Sequence, residues 1–480
     1  MYRWKKLSKF VSSFVIFTVI GFNTGGSGVK AAADYKFDFG GGAVQPGYVG
    51  VSASTAYSKS LGYGFNTPQN MKNVTASGSG AASDAVQFVT FGTKSTNTFN
   101  VDLPNGLYEV TVTLGNTSRA SVAAEGVFQV MNMTGNNAVD KFQIPITDGQ
   151  LNLLVTEGKA GTAFTLSALE IRKLSDSPVT NRTIYIGGDS TVCNYYPLDT
   201  SVQAGWGQML PKYVSTDYFQ IRNMATSGQI ARGFRDDGQF EAIMKYIKPG
   251  DYFILQLGIN DTNTKNNTTE AQFKEIMRDM VVKAKAAGAT VVLSTPQGRA
   301  TDFNSANVHT AVGRWYRQAT IALAKEENVQ LLDLNVLSSA YFTSIGPDAT
   351  LALYMTGDTL HPNRQGATQL ARLVYENLKL PLNSPTPAKN TNTPTPTNTS
   401  TPTKVPTNTP VTTNTPTATA QLPVEDINKD RAVNMADVIL IALNFNTQVT
   451  ESNRNCDLNG DGVINMSDVI KVALKFNMSV

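Results

Sequence analysis

The chain has 480 residues, of which 16% are charged, and its formal net charge is +3. One hydrophobic core rarely supports this length, so we expect two or three domains. Five of the 40 Lys and Arg residues lie in the first 33 positions, where there is no Asp or Glu, which leaves 35 basic against 37 acidic residues in the remainder. The remainder therefore lacks the basic surplus with which proteins bind nucleic acid.

The first 33 residues have the pattern of a secretory signal peptide. Basic residues come first, an apolar run spans 10–22, and three alanines end the segment at 31–33. A membrane anchor is the alternative, but crossing a bilayer takes roughly 20 apolar residues. We therefore expect a secreted, extracellular protein without a membrane anchor. The two cysteines, Cys193 and Cys456, lie far apart in the chain, and we expect no disulfide framework.

Residues 34–175 are expected to form a β-sandwich of the jelly-roll type. Apolar and polar residues alternate over Tyr108–Asn116 and again over Phe164–Leu174. Three tyrosines in this region are candidates for stacking on sugars, although core packing is the expected role of each: Tyr48, Tyr57 and Tyr63.

Residues 180–383 are expected to form a three-layer α/β domain. Short apolar runs alternate with helical stretches such as Glu270–Gly288, a pattern typical of a parallel sheet covered by helices on both faces. The expected strands are Thr183–Gly188, Phe219–Ala225, Tyr252–Gly258, Thr290–Pro296 and Val329–Asn335. Ligands of such sheets gather at the carboxyl ends of the strands.

Polar residues follow several of these strands. Ser190, in Gly-Asp-Ser, comes directly after the first strand, and we expect a helix to begin near it, with a dipole that favours an oxyanion. Capping that helix is the commoner role for such a serine. However, Gly228 follows the second strand, Asn260 follows the third, and Asp358 and His361 precede the last expected helix. The presence of these four residues near the same sheet edge favours a role for Ser190 as the nucleophile.

The expected chemistry is acyl transfer. A serine hydroxyl attacks an ester only when a base takes its proton, and His361 is the expected base. Asp358, three residues earlier, is placed to orient the imidazole. The N–H groups of Ser190 and Gly228 and the side-chain amide of Asn260 are the expected oxyanion donors. The other histidine, His309, lies in an expected helix without an acidic partner, and we expect it to pack or to face solvent.

These blocks resemble a known family. Gly188-Asp-Ser190-Thr, Gly228, Gly258-x-Asn260-Asp261 and Asp358-x-x-His361 occur in the order of the SGNH, or GDSL-like, hydrolases. The stretches GDSTVCNYYP, AGWGQMLPKY and KPGDYFILQLG resemble the rhamnogalacturonan acetylesterase branch, carbohydrate esterase family twelve. The resemblance implies a flavodoxin-like parallel sheet, the five catalytic roles given above, and no cofactor for catalysis.

Some residues depart from that branch. Ile259 stands where the branch has His, and Gln229-Ile230 stand where it has Arg-Ser. These neighbours of the site shape the acyl and sugar pockets, so the substrate stays open. Trp206, in AGWGQMLPKY, is a candidate either for lining the cleft or for burial near the sheet. In front of this region, FDFGGGAVQPGYVGV (37–51) and GYGF (62–65) resemble galactose-binding-like sandwiches, which implies a carbohydrate-binding or substrate-guiding module.

Residues 384–422 hold 15 Thr and 8 Pro and no aromatic residue, so we expect a linker without a core. In 424–480, two twelve-residue segments repeat with an offset of 31 and have the spacing of EF-hand calcium loops. Their expected Ca²⁺ ligands are Asp426, Asn428, Asp430, Asn434, Asp437, Asp457, Asn459, Asp461, Asn465 and Asp468. Arg431 occupies the position that Gly462 occupies in the second loop, so the first loop is expected to bind Ca²⁺ more weakly.

An apolar helix is expected after each loop, VILIALNFN and VIKVALKFN. This duplicated pattern resembles a type I dockerin, the module that attaches enzymes to cellulosome scaffoldins through cohesins. The resemblance implies structural Ca²⁺ and a cohesin domain of a scaffoldin as partner. The positions that help to select the cohesin are Met435-Ala436 and Met466-Ser467, not the common Ser-Thr pair, so the particular cohesin is not identified.

Together these features predict a secreted, cellulosome-associated carbohydrate O-acetylesterase with structural calcium. The expected substrate is an acetylated plant cell-wall polysaccharide, pectin and within it rhamnogalacturonan. An acetylxylan esterase or a lipolytic esterase of the same fold is one alternative. A non-catalytic carbohydrate-binding component is another, which the complete set of catalytic residue types disfavours.

Overall fold

The computed structural model describes residues 34–68, 71–88, 98–117, 119–157 and 164–381, and, in the C-terminal region, 424–427, 429, 433, 437–438, 440–441, 444, 449–451, 453–460, 462–473 and 475. The expected signal peptide and linker lie outside these residues. So do Asn428, Asp430, Arg431, Asn434, Met435, Ala436 and Asp461 of the calcium loops. The chain divides into two units, Met1–Asn392 and Thr393–Val480.

Twelve strands among the described residues form the β-sandwich, as predicted. They are Asp34–Phe39 (β1), Val49–Val51 (β2), Tyr63–Phe65 (β3), Met71–Thr75 (β4), Asp84–Phe88 (β5), Phe99–Asp102 (β6), Gly106–Leu114 (β7), Arg119–Ala124 (β8), Val127–Thr134 (β9), Val139–Ile146 (β10), Gln150–Glu157 (β11) and Phe164–Ser175 (β12). One sheet has the order β10-β7-β12-β1-β2, with β5 paired to β12 and β4 to β5. The other sheet has the order β3-β6-β11-β8-β9.

The alternation that predicted the sandwich strands has its basis in the core. In β7, Tyr108, Val110, Val112 and Leu114 are fully buried, whereas the residues between them are partly exposed. Of the three candidate tyrosines, Tyr63 packs in this core, with its ring 5.1 Å from the ring of Phe37.

The hydroxyl groups of the other two tyrosines form hydrogen bonds with acidic side chains of the sandwich. The hydroxyl of Tyr48 donates a hydrogen bond to Glu170, and that of Tyr57 donates one to Asp102.

The α/β region has a five-stranded parallel sheet, as predicted. Its strands are Thr183–Gly188 (β13), Gln220–Asn223 (β14), Tyr252–Gln256 (β15), Thr290–Ser294 (β16) and Gln330–Leu332 (β17). The order β14-β13-β15-β16-β17 is the flavodoxin-like order. The helices are Trp206–Met209 (α1), Ala231–Asp236 (α2), Gln239–Tyr246 (α3), Glu270–Ala286 (α4), Arg317–Glu326 (α5), Leu334–Ile345 (α6), Pro347–Leu351 (α7) and Arg364–Asn377 (α8).

Helices cover both faces of this sheet. Ile184 and Ile186 of β13 pack in one apolar cluster with residues of α1, α6 and α8. Tyr185, between them, packs in a second cluster with residues of α2, α3, α4 and α5. Every residue of β13 is therefore buried, which is why the strand is read in the sequence as an apolar run without alternation.

The expectation of a helix at Ser190 is wrong. No helix is present between Ser190 and Gly205, and the N–H groups of Val192 and Cys193 both donate to the carbonyl of Asp189 in a single turn. The Asp189 side chain accepts from the Thr191 N–H and hydroxyl at 2.9 and 2.8 Å. Such local side-chain bonds compete with helix formation. Ser190 therefore neither caps a helix nor gains a helix dipole.

The expected helix around His309 is also absent. Asn304 accepts hydrogen bonds from the N–H groups of Ala306 and Val308, which closes a turn instead of a helix. The packing role of His309 is confirmed, because its side chain is buried and its ring nitrogens contact the Ser339 hydroxyl at 3.0 Å and the Arg299 carbonyl at 2.8 Å.

Trp206 does not line a cleft. The side chain is fully buried, and its Nε1–H donates to Gln256 Oε1 at 3.0 Å. The two cysteines are buried free thiols. Among the described residues, no helix combines the length and the apolar character needed to cross a bilayer.

The second unit shows the predicted internal repeat in three dimensions. The N–H of Ile427 donates to Asp437 Oδ1 at 2.8 Å, and the N–H of Leu458 donates to Asp468 Oδ1 at the same distance. Each bond joins the second and twelfth residues of a loop. The small core includes pairs of residues 31 positions apart, Val433 with Ile464 and Ile441 with Val472. A helix, Met466–Ala473 (α9), overlaps the end of the second loop.

Candidate active site

The side chains of Ser190, His361 and Asp358 form a continuous chain of hydrogen bonds. Ser190 Oγ lies 2.9 Å from His361 Nε2, and His361 Nδ1 lies 2.6 Å from Asp358 Oδ2. With the Nδ1 proton on the carboxylate side, Nε2 is free to accept the proton of the serine hydroxyl. The three residues come from opposite ends of the domain's sequence, since Ser190 follows β13, its first strand, and the other two precede α8, its last helix.

Asp358 is held in its charged form. Its Oδ1 accepts the N–H groups of Leu360 at 2.7 Å and of His361 at 3.1 Å. Burial raises the pKa of the Asp358 carboxyl, but these bonds and the bond from the His361 ring lower it, and the net pKa lies below its ordinary value. A carboxylate that stays ionised can stabilise the imidazolium that forms when His361 takes a proton.

Gly228 lies in the loop that follows β14. The Thr226 N–H donates to the Gly188 carbonyl at 3.1 Å, which holds this loop beside the end of β13. Gly228 has φ +78°, a left-handed conformation that favours glycine, and it is exposed. Its N–H is therefore on an open loop next to the turn that carries Ser190.

Asn260 reaches the same loop from the end of β15. Its Nδ2 donates to the Gln229 carbonyl at 3.0 Å, and a primary amide has a second N–H that this bond leaves for a ligand. Two residues earlier, Gly258 has φ +120°, and a Cβ there would stand 2.2 Å from the Trp315 carbonyl oxygen. Glycine is therefore required for the chain to turn towards the site at this point.

Comparisons with known proteins identify the family of this chain. Three family models match: a beta-agarase/YXIM esterase-like, galactose-binding domain-like model over 35–172, the GDSL-like lipase/acylhydrolase family over 187–369, and the dockerin type I domain over 424–477. The uncharacterized esterase YxiM of Bacillus subtilis (strain 168) is 72% identical over 353 residues, which are 73% of this chain and 92% of YxiM. The chain belongs to the GDSL-like lipase/acylhydrolase family. The three resemblances noted in the sequence are thereby confirmed.

Further relatives share the catalytic region of this GDSL-like hydrolase. The probable rhamnogalacturonan acetylesterase YesY and the rhamnogalacturonan acetylesterase RhgT, both of Bacillus subtilis (strain 168), are 33% and 30% identical to it. Each match covers 41% of this chain, with 92% of YesY and 89% of RhgT. A crystal structure of YxiM superposes with a TM-score of 0.71 and 72% identity over 72% of this chain and 98% of that one. The chain is therefore a carboxylic ester hydrolase of the SGNH type.

Asp261 joins the two loops of the GDSL-like hydrolase that carry Gly228 and Asn260. Its Oδ1 accepts the Ala231 N–H at 2.9 Å, and its Oδ2 accepts the Gly258 N–H at 3.1 Å. Burial raises the pKa of Asp261, the two N–H groups lower it, and nearby Asp189 raises it, with a result of about 6. The Asp261 position follows from the Gly-x-Asn-Asp block, but its bond to Ala231 could be found only from the fold.

Tyr195 is a second residue whose contact with the site was not anticipated. Its hydroxyl donates to the Ser190 carbonyl at 2.8 Å and accepts from Gln203 Nε2 at 2.8 Å. The bond fixes the backbone of the Ser190 turn, where no helix supplies that support. The tyrosine belongs to the GDSTVCNYYP stretch, but nothing in its spacing indicates this bond.

Replacing Asp261 by Asn is expected to lower kcat by about ten- to a hundred-fold with little change in KM. The amide presents an N–H where the carboxylate accepted one, so one of the two loops that carry the expected oxyanion donors loses its hydrogen bond. The loss of one such donor costs about 3 kcal/mol. Steady-state kinetics on p-nitrophenyl acetate measure the effect. Asp251→Asn is the matched control, because Asp251 is also buried and accepts the Thr183 N–H at 2.8 Å, at the other end of β15. Equal losses of kcat in both variants would contradict the positioning role.

The second loop of the dockerin match is closed by hydrogen bonds from backbone N–H groups to two aspartates. Asp457 accepts the N–H groups of Gly460 and Gly462 at 2.9 and 3.0 Å, and Gly462 has φ +82°. Asp468 is fully buried and accepts the N–H groups of Leu458 and Asn465 at 2.8 and 2.9 Å. Asp457, Gly462 and Asp468 stand at positions 1, 6 and 12 of the loop, where EF-hand loops have a ligand, a glycine for the sharp turn and a ligand. Within the described positions of 424–475, which exclude Asp461, no group of three or more acidic, His or Cys side chains forms a metal cluster.

Proposed function

We propose that this chain is a secreted carbohydrate O-acetylesterase that removes acetyl groups from pectin, with rhamnogalacturonan as its polymer. The observation that carries the proposal is the hydrogen-bonded line from Ser190 Oγ through His361 to Asp358, at 2.9 and 2.6 Å. Its position at the carboxyl ends of the strands is where α/β sheets bind ligands.

Ser190 is the proposed nucleophile in the first half of the reaction. Its Oγ attacks the acetyl carbonyl carbon while the hydroxyl proton moves to His361 Nε2. The carbonyl oxygen becomes an oxyanion and accepts hydrogen bonds from the N–H groups of Ser190 and Gly228 and from Asn260. The C–O bond to the sugar then breaks, and His361 returns its proton to the leaving sugar oxygen. The product is an acetylated serine.

Water completes the cycle. His361 Nε2 takes a proton from a water molecule, whose oxygen attacks the acetyl carbonyl of the acyl-enzyme. The same donors stabilise the second oxyanion. The Ser190 Oγ–carbonyl bond breaks, the proton returns to Ser190, and acetate leaves. Asp358 stays ionised throughout and keeps the imidazole in position.

The acetyl and pectin parts of the proposal rest on the relatives. YesY and RhgT, whose names specify rhamnogalacturonan acetylesterases, match this chain over 92% and 89% of their own lengths. The match to a galactose-binding domain-like model over 35–172 supports a sugar-directed role for the sandwich. These are the features that favour a polysaccharide over a lipid substrate.

Acetate is expected to be preferred to octanoate by at least ten-fold in kcat/KM. A long acyl chain needs a continuous apolar surface. Among the described residues of the α/β region, the strongly exposed large apolar side chains are single residues scattered along the chain: Val202, Val282, Val308, Val336 and Leu351. Rates on p-nitrophenyl esters of two to ten carbons measure the preference. A rate that rises with chain length would show a lipolytic enzyme instead.

The second unit is proposed to bind calcium and a scaffoldin cohesin. Type I dockerins are calcium-binding modules, and the match covers 424–477. The described ligand candidates are Asp426, Asp437, Asp457, Asn459, Asn465 and Asp468. Together with the apolar leader in the sequence, this module supports an extracellular, cellulosome-associated enzyme.

A further inference from the structure

We propose that Arg299 binds a carboxylate of the sugar chain that carries the scissile acetyl group, so that the site selects acidic polysaccharides over neutral ones. The inference rests on the proposed esterase function and adds a residue that recognises the negative charge of the polymer. Arg299 lies in the loop after β16, at the carboxyl edge of the sheet where Ser190 also lies.

The Arg299 loop packs directly on the turn that carries the base and its acid. The Ala300 N–H donates to the Thr359 carbonyl at 2.9 Å, and Gln297 Nε2 donates to the Leu360 carbonyl at 3.2 Å. Thr359 and Leu360 are the two residues between Asp358 and His361. The backbone of Arg299 is therefore fixed between two direct contacts to the catalytic turn.

The Arg299 side chain also reaches the structure under the Asn260 loop. Its guanidinium lies over the ring of Trp315, 5.5 Å from the ring centroid. The Trp315 carbonyl is the group that leaves no room for a Cβ at Gly258, two residues before Asn260. Trp315 is buried and has φ +60°, an uncommon conformation for a bulky residue. Arg299 thus lies between the catalytic turn, which its neighbours contact, and Trp315, which packs under the Asn260 loop.

The nearest described acid in the sequence, Asp302, accepts the backbone N–H of Arg299 at 3.0 Å but forms no ion pair with its side chain. The Arg299 guanidinium forms no ion pair in the part of the chain that the structure describes, and Nε is buried without a hydrogen-bond partner. Arg314, on the same tryptophan ring at 5.0 Å, is in contrast bound twice by Asp302, at 2.7 and 3.0 Å. Of these two arginines, only the partly exposed one beside the catalytic turn has no acidic partner among the described residues.

The shape and charge of the Arg299 guanidinium indicate which kind of ligand it would bind. A guanidinium presents N–H donors in a planar fork that matches the two oxygens of a carboxylate. Sugars of neutral polymers such as xylan offer hydroxyls, which gain less from a cation. Uronate sugars, which alternate with neutral sugars in rhamnogalacturonan, offer a carboxylate near the acetylated hydroxyls. Arg299 therefore favours a uronate-containing chain.

Kinetics on acetylated rhamnogalacturonan oligosaccharides test the inference with the full-length chain. Arg299→Gln should raise KM by about ten-fold or more, which corresponds to about 1.4 kcal/mol, and this loss should exceed any loss on p-nitrophenyl acetate by the same factor. Arg299→Lys should recover part of the loss, because the charge returns without the fork. Arg372→Gln is the matched control, since Arg372 lies over the ring of Tyr341 at 5.6 Å and pairs with Glu376 on α8. Equal losses on both substrates would overturn the inference.

An inhibition experiment separates this inference from the proposed function. Acetyl-free oligogalacturonate should inhibit the hydrolysis of p-nitrophenyl acetate by the wild-type chain, and the inhibition should weaken by about ten-fold or more in Arg299→Gln and at high salt. Neutral galacto-oligosaccharide should inhibit both chains equally. If p-nitrophenyl acetate is hydrolysed but oligogalacturonate inhibits neither chain, or inhibits both equally, Arg299 has no role in charge recognition while the esterase stands. If p-nitrophenyl acetate is not hydrolysed, the proposed function itself fails, and this inference fails with it.

Discussion

Ser190→Ala is expected to lower kcat on p-nitrophenyl acetate by about a thousand-fold or more, on the scale of nucleophile deletions in serine hydrolases. The hydroxyl at 2.9 Å from His361 Nε2 is the only side-chain group of this residue that the mechanism uses, and the substitution leaves its backbone N–H in place. The substitution removes one oxygen from a side chain that is 7% exposed, so melting temperature and circular dichroism should stay close to wild type. A variant that keeps a tenth of the activity would rule out Ser190 as the nucleophile.

Two companion variants make the result specific to the proposed triad. Asp358→Asn should cost nearly as much as Ser190→Ala, because the amide can hold His361 in the wrong tautomer. His309→Ala should leave kcat near wild type, since the His309 ring contacts only the Ser339 hydroxyl and the Arg299 carbonyl among polar groups of the described chain. A loss from Asp358→Asn no larger than that from His309→Ala would place the acid elsewhere.

The strands of the α/β region could be predicted from the sequence because burial leaves a strong signal. Thr183–Gly188 is expected as a strand with the same bounds that β13 has, and all six of its residues are buried. Helix α4 was expected over Glu270–Gly288 and ends at Ala286. It has a capping box formed by Thr269 and Gln272, a local pattern that marks a helix start.

The loops could not be predicted in the same way, because local side-chain bonds decide them. Asp189 and Asn304 each accept hydrogen bonds from nearby backbone N–H groups, and each closes a turn where we expected a helix. The roles argued for Asp261 and Arg299 depend on tertiary contacts. The role of Asp261 depends on its hydrogen bond to Ala231, 30 residues away. The role of Arg299 depends on the absence of an ion-pair partner among the described residues. Neither property is visible in a motif of adjacent residues.

Calcium is expected to raise the melting temperature of fragment 424–480 by on the order of 20 °C. Calcium at a thousand times its Kd stabilises a folded state by about 4 kcal/mol, and for a domain of this size each kcal/mol shifts the midpoint by several degrees. The reason for a strong dependence is the small core, six buried residues among those described, which is marginal for about 60 residues. Circular dichroism against temperature, with calcium or EDTA, measures the shift and the gain in helicity.

The two loops are expected to contribute unequally to that shift. Asp457 accepts the Gly462 N–H at 3.0 Å, and Gly462 adopts φ +82° at no steric cost. The first loop has Arg431 at the corresponding position, where a left-handed turn would be strained. Asp457→Ala should therefore reduce calcium affinity in titration calorimetry more than Asp426→Ala does, and a larger loss from Asp426→Ala would reverse the ranking of the loops. In the full-length chain, EDTA should abolish this binding while hydrolysis of p-nitrophenyl acetate continues, because the acyl transfer proposed for Ser190 moves protons between Ser190, His361 and water and requires no metal ion.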